Sequence, residues 1–170
     1  RVQAWDIHDH RVALITAQDA RLHLENVRPM IRDATVFREQ LVETMDGVLL
    51  DAPCSGLGMM AAKPDIRLRV TEESVAELVE LQSKLLETVC QYVRPGGTLV
   101  YSTCSVLRAE NEDQVTAFLA KHPEFEEIAL PETIPERFRG TLDPANPGLQ
   151  LLPHRDGIEG FYVCRMRRKK

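Results

Sequence analysis

Two apolar stretches, each followed by a cysteine-bearing turn, constrain the fold of this chain more than any other feature. Gly47-Val-Leu-Leu-Asp51 runs into Ala-Pro-Cys54-Ser-Gly, and Thr98-Leu-Val-Tyr-Ser102 runs into Thr-Cys104-Ser. Continuous apolar runs of this length are typical of parallel strands buried on both faces. Because open α/β sheets hold their ligands at the carboxyl ends of the strands, we expect Cys54, Cys104 and Asp51 to share one pocket.

The segments around these two strands alternate between strand and helix patterns, which indicates an α/β fold with a largely parallel sheet. The chain ends in two apolar arms that predict an antiparallel pair. Asn111 and Gln114 resemble a capping box. The predicted strands are 2–6, 27–31, 47–51, 98–102 and 125–130, with 149–152 and 160–166 as the antiparallel arms. The first predicted helix begins at His8 or Asp9 and reaches about Leu24, and the others cover 37–43, 71–93 and 111–121. Residues 131–148 are predicted to form an irregular surface segment.

Length and charge bound the class of protein. The 170 residues fit one domain, and no apolar run approaches the roughly 20 residues of a membrane span. The first residues lack the apolar centre of a signal peptide, so a cytoplasmic protein is expected. The formal charge of −5 counts against an extended nucleic-acid surface without excluding one. The basic cluster 165–170 has two interpretations, a nucleic-acid contact or a frayed, solvated end.

The four cysteines match neither a zinc pattern nor a disulfide framework, so they are interpreted as free thiols, buried or reactive. Cys90 continues the apolar stripe of a helix and Cys164 lies in the last strand, so both are predicted to be core residues. A cysteine attacks as its thiolate, which is a minor species at neutral pH unless a neighbouring group stabilises it. Cys54 and Cys104 each have a packing interpretation as well as a catalytic one.

Asp6 and Asp33 follow the first two predicted strands. In nucleotide-binding βαβ units, a carboxylate at the end of the second strand accepts hydrogen bonds from the ribose hydroxyls. An acid at a strand end is otherwise a turn or cap residue, and both interpretations remain open at this point.

The combined motifs resemble a known family. Asp51-Ala-Pro-Cys54-Ser-Gly, Ser102-Thr-Cys104-Ser and Glu110-Asn-Glu112 are similar to the RNA cytosine-C5 methyltransferases, in particular the bacterial Fmu/Sun type that modifies small-subunit ribosomal RNA. The resemblance extends over nearly the whole chain, through Lys63-Pro-Asp-Ile66, Arg94-Pro-Gly-Gly97 and Asp156-Gly-Ile-Glu-Gly-Phe161. It implies a Rossmann-like class I methyltransferase sheet, mostly parallel with an antiparallel C-terminal strand.

The resemblance also implies residue roles. Cys104 would add to C6 of the target cytosine, Cys54 would assist loss of the C5 proton and release of the product, and Asp51 would bind the base at N3 or at the exocyclic amine. S-adenosylmethionine would be the methyl donor. Asp6 would bind its ribose hydroxyls and Asp33 its adenine amino group, and Asp51 is assigned to the cofactor-binding set as well.

Access to C6 requires an unstacked base, so the RNA substrate, expected to be 16S ribosomal RNA, should present a single-stranded or flipped-out cytosine. Lys63 and Arg67 are candidate phosphate or base contacts, or simply solvated charges.

Family members carry a first strand, a glycine-rich loop and an N-terminal RNA-binding region that this sequence does not contain. Residues 1–170 are therefore interpreted as a truncated, C-terminal catalytic domain that is inactive by itself and self-associates through an exposed sheet edge. The alternative is a non-catalytic RNA- or protein-binding module that retains the fold. A third interpretation, an amino methyltransferase, is disfavoured because those enzymes place an aromatic residue after an Asn/Asp-Pro-Pro turn, which Asp51-Ala-Pro-Cys54 does not match.

Overall fold

The chain folds into two compact units, Arg1–Arg38 and Glu39–Lys170, in a computed structural model that describes residues 1–139 and 142–170. Part of the predicted irregular segment, at positions 140 and 141, lies outside the described residues. Within the described residues, no helix combines the length and the apolar character that a membrane span requires.

The first unit is a βαβ arrangement. Strands β1 (Val2–Asp6) and β2 (Val27–Ile31) pair in parallel, and helix α1 (Asp9–Leu22) connects them. His8 is the N-cap of α1, and His23 ends the helix in a left-handed conformation. Both strands are confirmed with their predicted bounds, and the helix ends two residues earlier than predicted.

The second unit contains a five-stranded sheet. Its strands are β3 (Met45–Asp51), β4 (Val93–Thr103), β5 (Phe125–Glu127), β6 (Leu149–Leu151) and β7 (Phe161–Arg168). The order is β3-β4-β7-β5, and β6 also pairs with β7. β3 and β4 are parallel, whereas β7 is antiparallel to β4, β5 and β6. β3 to β6 therefore share one direction and the C-terminal strand opposes them, as predicted.

Helices α2 (Glu72–Val89), α3 (Glu112–Lys121) and α4 (Pro153–Asp156) complete the second unit. A capping box between Thr71 and Ser74 begins α2. The helix predicted over 37–43 is only a 3-10 turn, Glu39–Leu41. The 52–69 segment is irregular apart from two 3-10 turns.

The core lies between β4, β7 and the inner faces of α2 and α3. Its members are fully or nearly fully buried: Leu85, Leu86, Val89, Cys90, Val93, Leu99, Tyr101, Val115, Phe118, Tyr162, Cys164 and Met166. Burying each large apolar side chain contributes about 1.5–3 kcal/mol. Burial raises the pKa of Cys90 to about 12 and raises that of Cys164 further, which confirms both as core thiols.

Strand β3 departs from the expectation of burial on both faces. Leu50 is 8% exposed, but its neighbour Leu49 is 69% exposed. Successive side chains of a strand point to opposite faces, and β3 is an edge strand of its sheet. Only the Leu50 face is packed against the core.

The interpretation of the basic C-terminus as a frayed end is wrong. β7 continues to Arg168, whose guanidinium donates to the Val93 carbonyl (2.7 Å) and pairs with Glu43 (2.8 Å). The Lys169 amide donates to the Glu124 carbonyl (2.7 Å). Pairing with β4 and β5 orders this basic segment.

Candidate active site

The carboxyl ends of β3 and β4 meet at one edge of the sheet. Asp51 lies opposite Ser102 in the parallel register. The Ser102 hydroxyl donates to Asp51 Oδ1 (3.0 Å), and the Ala52 amide donates to the Ser102 carbonyl (2.9 Å). The two cysteine turns therefore leave the sheet side by side, with the exposed carboxylate of Asp51 at their base.

The two turns bring Cys54 and Cys104 into contact. Their Sγ atoms are 3.3 Å apart, within hydrogen-bonding distance for sulfur, and both thiols are free. Each side chain is half-buried, so each remains reachable from solvent. The convergence of two thiols and a carboxylate that the sequence predicted is present in the structure.

The contact makes the two thiols unequal. The hydrogen bond from Cys54 lowers the pKa of Cys104 to about 7, with help from the backbone N–H of Cys104 itself. Burial and the negative charges of Asp51 and Glu110 oppose this shift. The same hydrogen bond, together with burial, raises the pKa of Cys54 far above its ordinary value. Near pH 7 about half of the Cys104 side chains are therefore thiolate, while Cys54 keeps its proton.

Two glycines allow the Cys54 turn to approach its neighbours. Gly56 has a left-handed conformation (φ 72°), which favours glycine. The Gly58 amide donates to the Cys104 carbonyl (2.9 Å), and the Gly58 carbonyl accepts from the Gly160 amide (2.9 Å). A Cβ at Gly58 would lie 2.7 Å from the Cys104 carbonyl oxygen and collide with the backbone of Gly160. Three backbone segments meet where only glycine fits.

Glu110 is buried behind the cysteines. Its carboxylate accepts hydrogen bonds from the Ser55 amide (2.8 Å), the Ser55 hydroxyl (2.6 Å), the Gln82 side-chain amide (3.1 Å) and the Ser105 hydroxyl. Tyr101 donates to its backbone carbonyl (2.7 Å). The residue that follows each cysteine is thus bonded to the same carboxylate.

Gln82 and Gln114 extend this buried network into the helices. The side chain of Gln82 on α2 also donates to the Pro53 carbonyl (2.9 Å), next to Cys54. The side chain of Gln114 on α3 donates to the Val79 carbonyl (2.6 Å) on α2. The Cys54 turn is therefore anchored to helix α2, which in turn is bonded to α3.

Asn111 does not form the capping box predicted with Gln114. It is the N-cap residue of α3, but its side chain makes no capping bond. It accepts from the Thr103 hydroxyl (2.6 Å) and donates to the Ser105 carbonyl (3.1 Å) and to Gln150 (2.6 Å). The side chain turns inward because it satisfies the buried polar groups on either side of Cys104.

Asp6 and Asp33 lie at strand ends in the first unit, as predicted. Asp6 Oδ1 accepts from the His8 amide (2.8 Å), and its Oδ2 accepts a long bond from Arg11 (3.5 Å). Burial raises the pKa of Asp6, but the His8 amide and Arg11 outweigh it and leave a net lowering. Asp33 Oδ1 accepts from both the amide (2.8 Å) and the hydroxyl (2.7 Å) of Thr35.

Lys63 and Arg67 lie on the 52–69 segment that follows the Cys54 turn. Both are exposed, Lys63 at the N-cap of the 3-10 turn Pro64–Leu68 and Arg67 within it. In the described part of the chain neither side chain forms an ion pair, whereas the neighbouring Arg69 pairs with Asp65 (2.6 Å). No described residue neutralises the charges of Lys63 and Arg67.

The sequence pattern indicated no role for Glu110 or Gln82, and it indicated only a capping role for Asn111. One signal was available for Gln82, because it occupies the apolar stripe of α2 between Leu78 and Leu85, where a polar residue needs a buried partner. Glu110 and the inward bonds of Asn111 were indicated only by a family motif. Their partners are up to 55 residues away, so no local pattern indicates them.

Comparisons with known proteins identify the family of the chain. A family model described as 16S rRNA methyltransferase RsmB/F matches residues 1–167. The chain is 39% identical over 170 residues to a probable ribosomal RNA small subunit methyltransferase B of Bacillus subtilis (strain 168), covering 99% of this chain and 38% of that protein. It thus spans little more than a third of this relative.

Solved structures agree at the level of the fold. The structure titled PH0851 superposes with a TM-score of 0.87 at 33% identity, covering 100% of this chain and 37% of that one. A SAM dependent methyltransferase from Aquifex aeolicus shares the fold with a TM-score of 0.51 at 12% identity, covering 99% of this chain and 69% of that one. The α/β fold is the Rossmann-like fold of class I methyltransferases.

Proposed function

Because the chain belongs to the RsmB/F family of 16S rRNA methyltransferases, we propose that the protein transfers a methyl group from S-adenosylmethionine to C5 of a cytosine in 16S ribosomal RNA. Cys104 is the nucleophile, Cys54 the second thiol and Asp51 the base-binding carboxylate. Residues 1–170 form part of the catalytic domain of this enzyme. The observation that carries the proposal is the 3.3 Å contact between the Cys54 and Cys104 sulfur atoms beside an exposed Asp51.

The chemistry begins at Cys104. Cytosine C5 is a poor nucleophile, and addition of a thiolate to C6 moves the electron pair of the C5–C6 double bond onto C5. Cys104 supports this step because the thiol of Cys54 holds its pKa near 7, so that about half of it is thiolate at neutral pH. Asp51, fixed by the Ser102 hydroxyl (3.0 Å), accepts a hydrogen bond from the base.

Cys54 acts in the second half of the reaction. After methylation, loss of the C5 proton allows the C6–S bond to break and restores the double bond. Cys54 is a poor base in the free protein because its proton is shared with the Cys104 thiolate. Once Cys104 is an uncharged thioether, that cause of the raised pKa is gone, so Cys54 can release its own proton to solvent and, as a thiolate, accept the C5 proton. The two thiols thus exchange roles as the adduct forms and breaks.

The methyl donor fits the acids of the first unit to different degrees. S-adenosylmethionine supplies an electrophilic methyl group when it is bound. Oδ2 of Asp6 has only the long bond from Arg11 among the described residues, which leaves it able to accept from a ribose hydroxyl. Oδ1 of Asp33 already accepts twice from Thr35, so Asp33 offers less to the adenine amino group. Asp51 completes the proposed cofactor-binding set.

Lys63 and Arg67 are the proposed RNA contacts. Exposed cations without an internal partner bind phosphate with little desolvation cost, and they lie on the segment that continues from the Cys54 turn. The target cytosine is unstacked when it reaches Cys104, because C6 is inaccessible within a helix.

Methyl transfer from radiolabelled S-adenosylmethionine to unmodified 16S ribosomal RNA tests this function. The full-length enzyme that contains residues 1–170 should label cytosine at C5, and Cys104→Ala should lower its rate about 1,000-fold or more, as expected for removal of a covalent nucleophile. Cys54→Ala should accumulate a covalent protein–RNA complex, because release is blocked after addition. Undiminished labelling by Cys104→Ala, or label on a base nitrogen, would refute the proposal.

A further inference from the structure

A buried carboxylate that none of the steps above uses connects the two cysteine turns. The Glu110 side chain is fully buried. Ser55, next to Cys54, donates to it through both its amide (2.8 Å) and its hydroxyl (2.6 Å). Ser105, next to Cys104, donates to the same carboxylate through its hydroxyl. One side chain is therefore bonded to the neighbour of each thiol.

Burial of the Glu110 carboxylate lowers the stability of the folded protein. A buried carboxylate is unfavourable unless a cation or several donors compensate for the lost hydration. In the part of the chain that the structure describes, Glu110 forms no ion pair, and its partners are the neutral donors of Ser55, Ser105 and Gln82. A purely structural core would be served at lower cost by apolar side chains, so the charge suggests a functional requirement.

We propose that Glu110 is a positioning residue for the thiol pair: by holding Ser55 and Ser105 together, it keeps the sulfur atoms of Cys54 and Cys104 at hydrogen-bonding distance. The inference rests on the proposed function, because a close pair matters only if Cys104 reacts. The hydroxyl oxygens of Ser55 and Ser105, which both donate to Glu110, lie 3.1 Å apart, so the two turns are in contact at this carboxylate.

The carboxylate has a second, opposing effect on Cys104. Three groups act on this thiol: Cys54 lowers its pKa by hydrogen bonding, whereas the charges of Asp51 and Glu110 raise it. Loss of the Glu110 charge with the bonds intact should lower the pKa of Cys104. Loss of the bonds should raise it, because the hydrogen bond from Cys54 is lost.

Two substitutions separate these effects. In Glu110→Gln, the side-chain oxygen can accept from the Ser55 amide and from Gln82, while its NH₂ group donates to the two serine hydroxyls, which can rotate to accept. This variant removes the charge and keeps the connection. Glu110→Ala removes both. A double variant, Ser55→Ala with Ser105→Ala, keeps the charge and cuts the connection of the hydroxyls.

The measurement is the rate of Cys104 alkylation by iodoacetamide as a function of pH, with the modified peptide identified by mass spectrometry. It requires neither RNA nor cofactor, so a protein that failed to methylate RNA would still give an interpretable profile. Glu127→Gln is the matched control, because Glu127 is a half-buried carboxylate on β5 that accepts from the Gly148 amide, outside the thiol site.

The wild-type and Glu127→Gln proteins should have a midpoint near pH 7. Glu110→Gln should move it down by about half a pH unit. The double serine variant should move it up by about one pH unit and slow alkylation at pH 7 about fivefold, and Glu110→Ala should move it up by about half as much, because loss of the charge offsets part of the shift. If Glu110→Ala does not fold, the double serine variant decides. Wild-type midpoints in that double variant, or an upward shift in a folded Glu110→Gln, would overturn the proposal.

Discussion

The two units hold their candidate carboxylates and thiols in different ways. In the first unit, Asp6 and Asp33 are fixed by groups two residues further along the chain, the His8 amide and Thr35. In the second unit, the Cys54–Cys104 contact joins residues 50 positions apart, and the Ser55–Glu110 bonds join residues 55 positions apart. Locally fixed side chains depend on one turn, whereas the thiol pair depends on the whole sheet and two helices.

This difference predicts where the protein tolerates change. A substitution at the strand ends of the first unit should affect binding and leave folding almost unchanged. A substitution behind the cysteines should disturb both stability and the reactivity of Cys104, because the same buried bonds serve both.

The largest effect is expected at Gly58, where the three backbone segments meet. Gly58→Ala introduces a Cβ 2.7 Å from the Cys104 carbonyl oxygen, so the turns must separate. The free energy of unfolding should fall by about 3 kcal/mol, measured by urea denaturation. Gly47→Ala is the control, because a Cβ there would meet only the Thr98 carbonyl at an ordinary 3.7 Å. Equal stability losses in the two variants would show that the Gly58 contact is not tight.

The next effect concerns the polar groups beside Cys104. Asn111→Asp keeps the acceptor for Thr103 but removes the donor to the Ser105 carbonyl and to Gln150. Leaving these buried acceptors without a partner should cost about 2 kcal/mol. Denaturation of this variant should be compared with that of Asn26→Asp at an exposed position. A loss below about 0.5 kcal/mol would mean that the inward bonds of Asn111 contribute little.

A smaller effect is expected from cutting the thiol contact itself. Cys54→Ala removes the donor that lowers the pKa of Cys104, so this pKa should rise from about 7 toward its ordinary value. Because only the thiolate is alkylated and the variant contains less thiolate near pH 7, Cys104 of the variant should be alkylated about tenfold more slowly at that pH. Cys90→Ala, which removes a core thiol, serves as the control. A faster reaction in Cys54→Ala would show that Cys54 suppresses rather than activates Cys104.

The smallest effect on stability belongs to the first unit. Asp6→Asn can still accept from the His8 amide and loses only the long pair with Arg11, where the Arg11 side chain is 61% exposed. The free energy of unfolding should change by less than about 0.5 kcal/mol. If Asp6 binds the ribose hydroxyls, the affinity for S-adenosylmethionine should fall about tenfold, measured by calorimetry. A large loss of stability with unchanged affinity for S-adenosylmethionine would show that Asp6 supports folding and not binding, contrary to this comparison.

The strands, helices and cysteine turns could be predicted because local patterns encode them. Apolar runs predicted β3 and β4, and Thr71 with the following acids predicted the start of α2. The prediction failed where tertiary contacts override a local pattern. Asn111 turned inward to buried partners, and the basic C-terminus was drawn into the sheet.

The site was predictable in part for the same reason. The positions of Asp51, Cys54 and Cys104 follow from the rule that parallel strands present their carboxyl ends together. The convergence of Ser55, Ser105 and Gln82 on Glu110 does not follow from any local pattern, because it requires the register of the sheet and the rotation of α2. The inequality of the two thiols is likewise a property of their contact and not of either turn.

The central claim, that Cys104 attacks the base while Cys54 serves as the second thiol, can be tested by trapping. The protein is incubated with S-adenosylmethionine and RNA that contains 5-fluorocytosine, whose C5 fluorine cannot be lost as a proton, and the cross-linked peptide is sequenced by mass spectrometry. The account predicts the nucleotide on Cys104, with none trapped in Cys104→Ala. A nucleotide on Cys54, or undiminished trapping in Cys104→Ala, would contradict it.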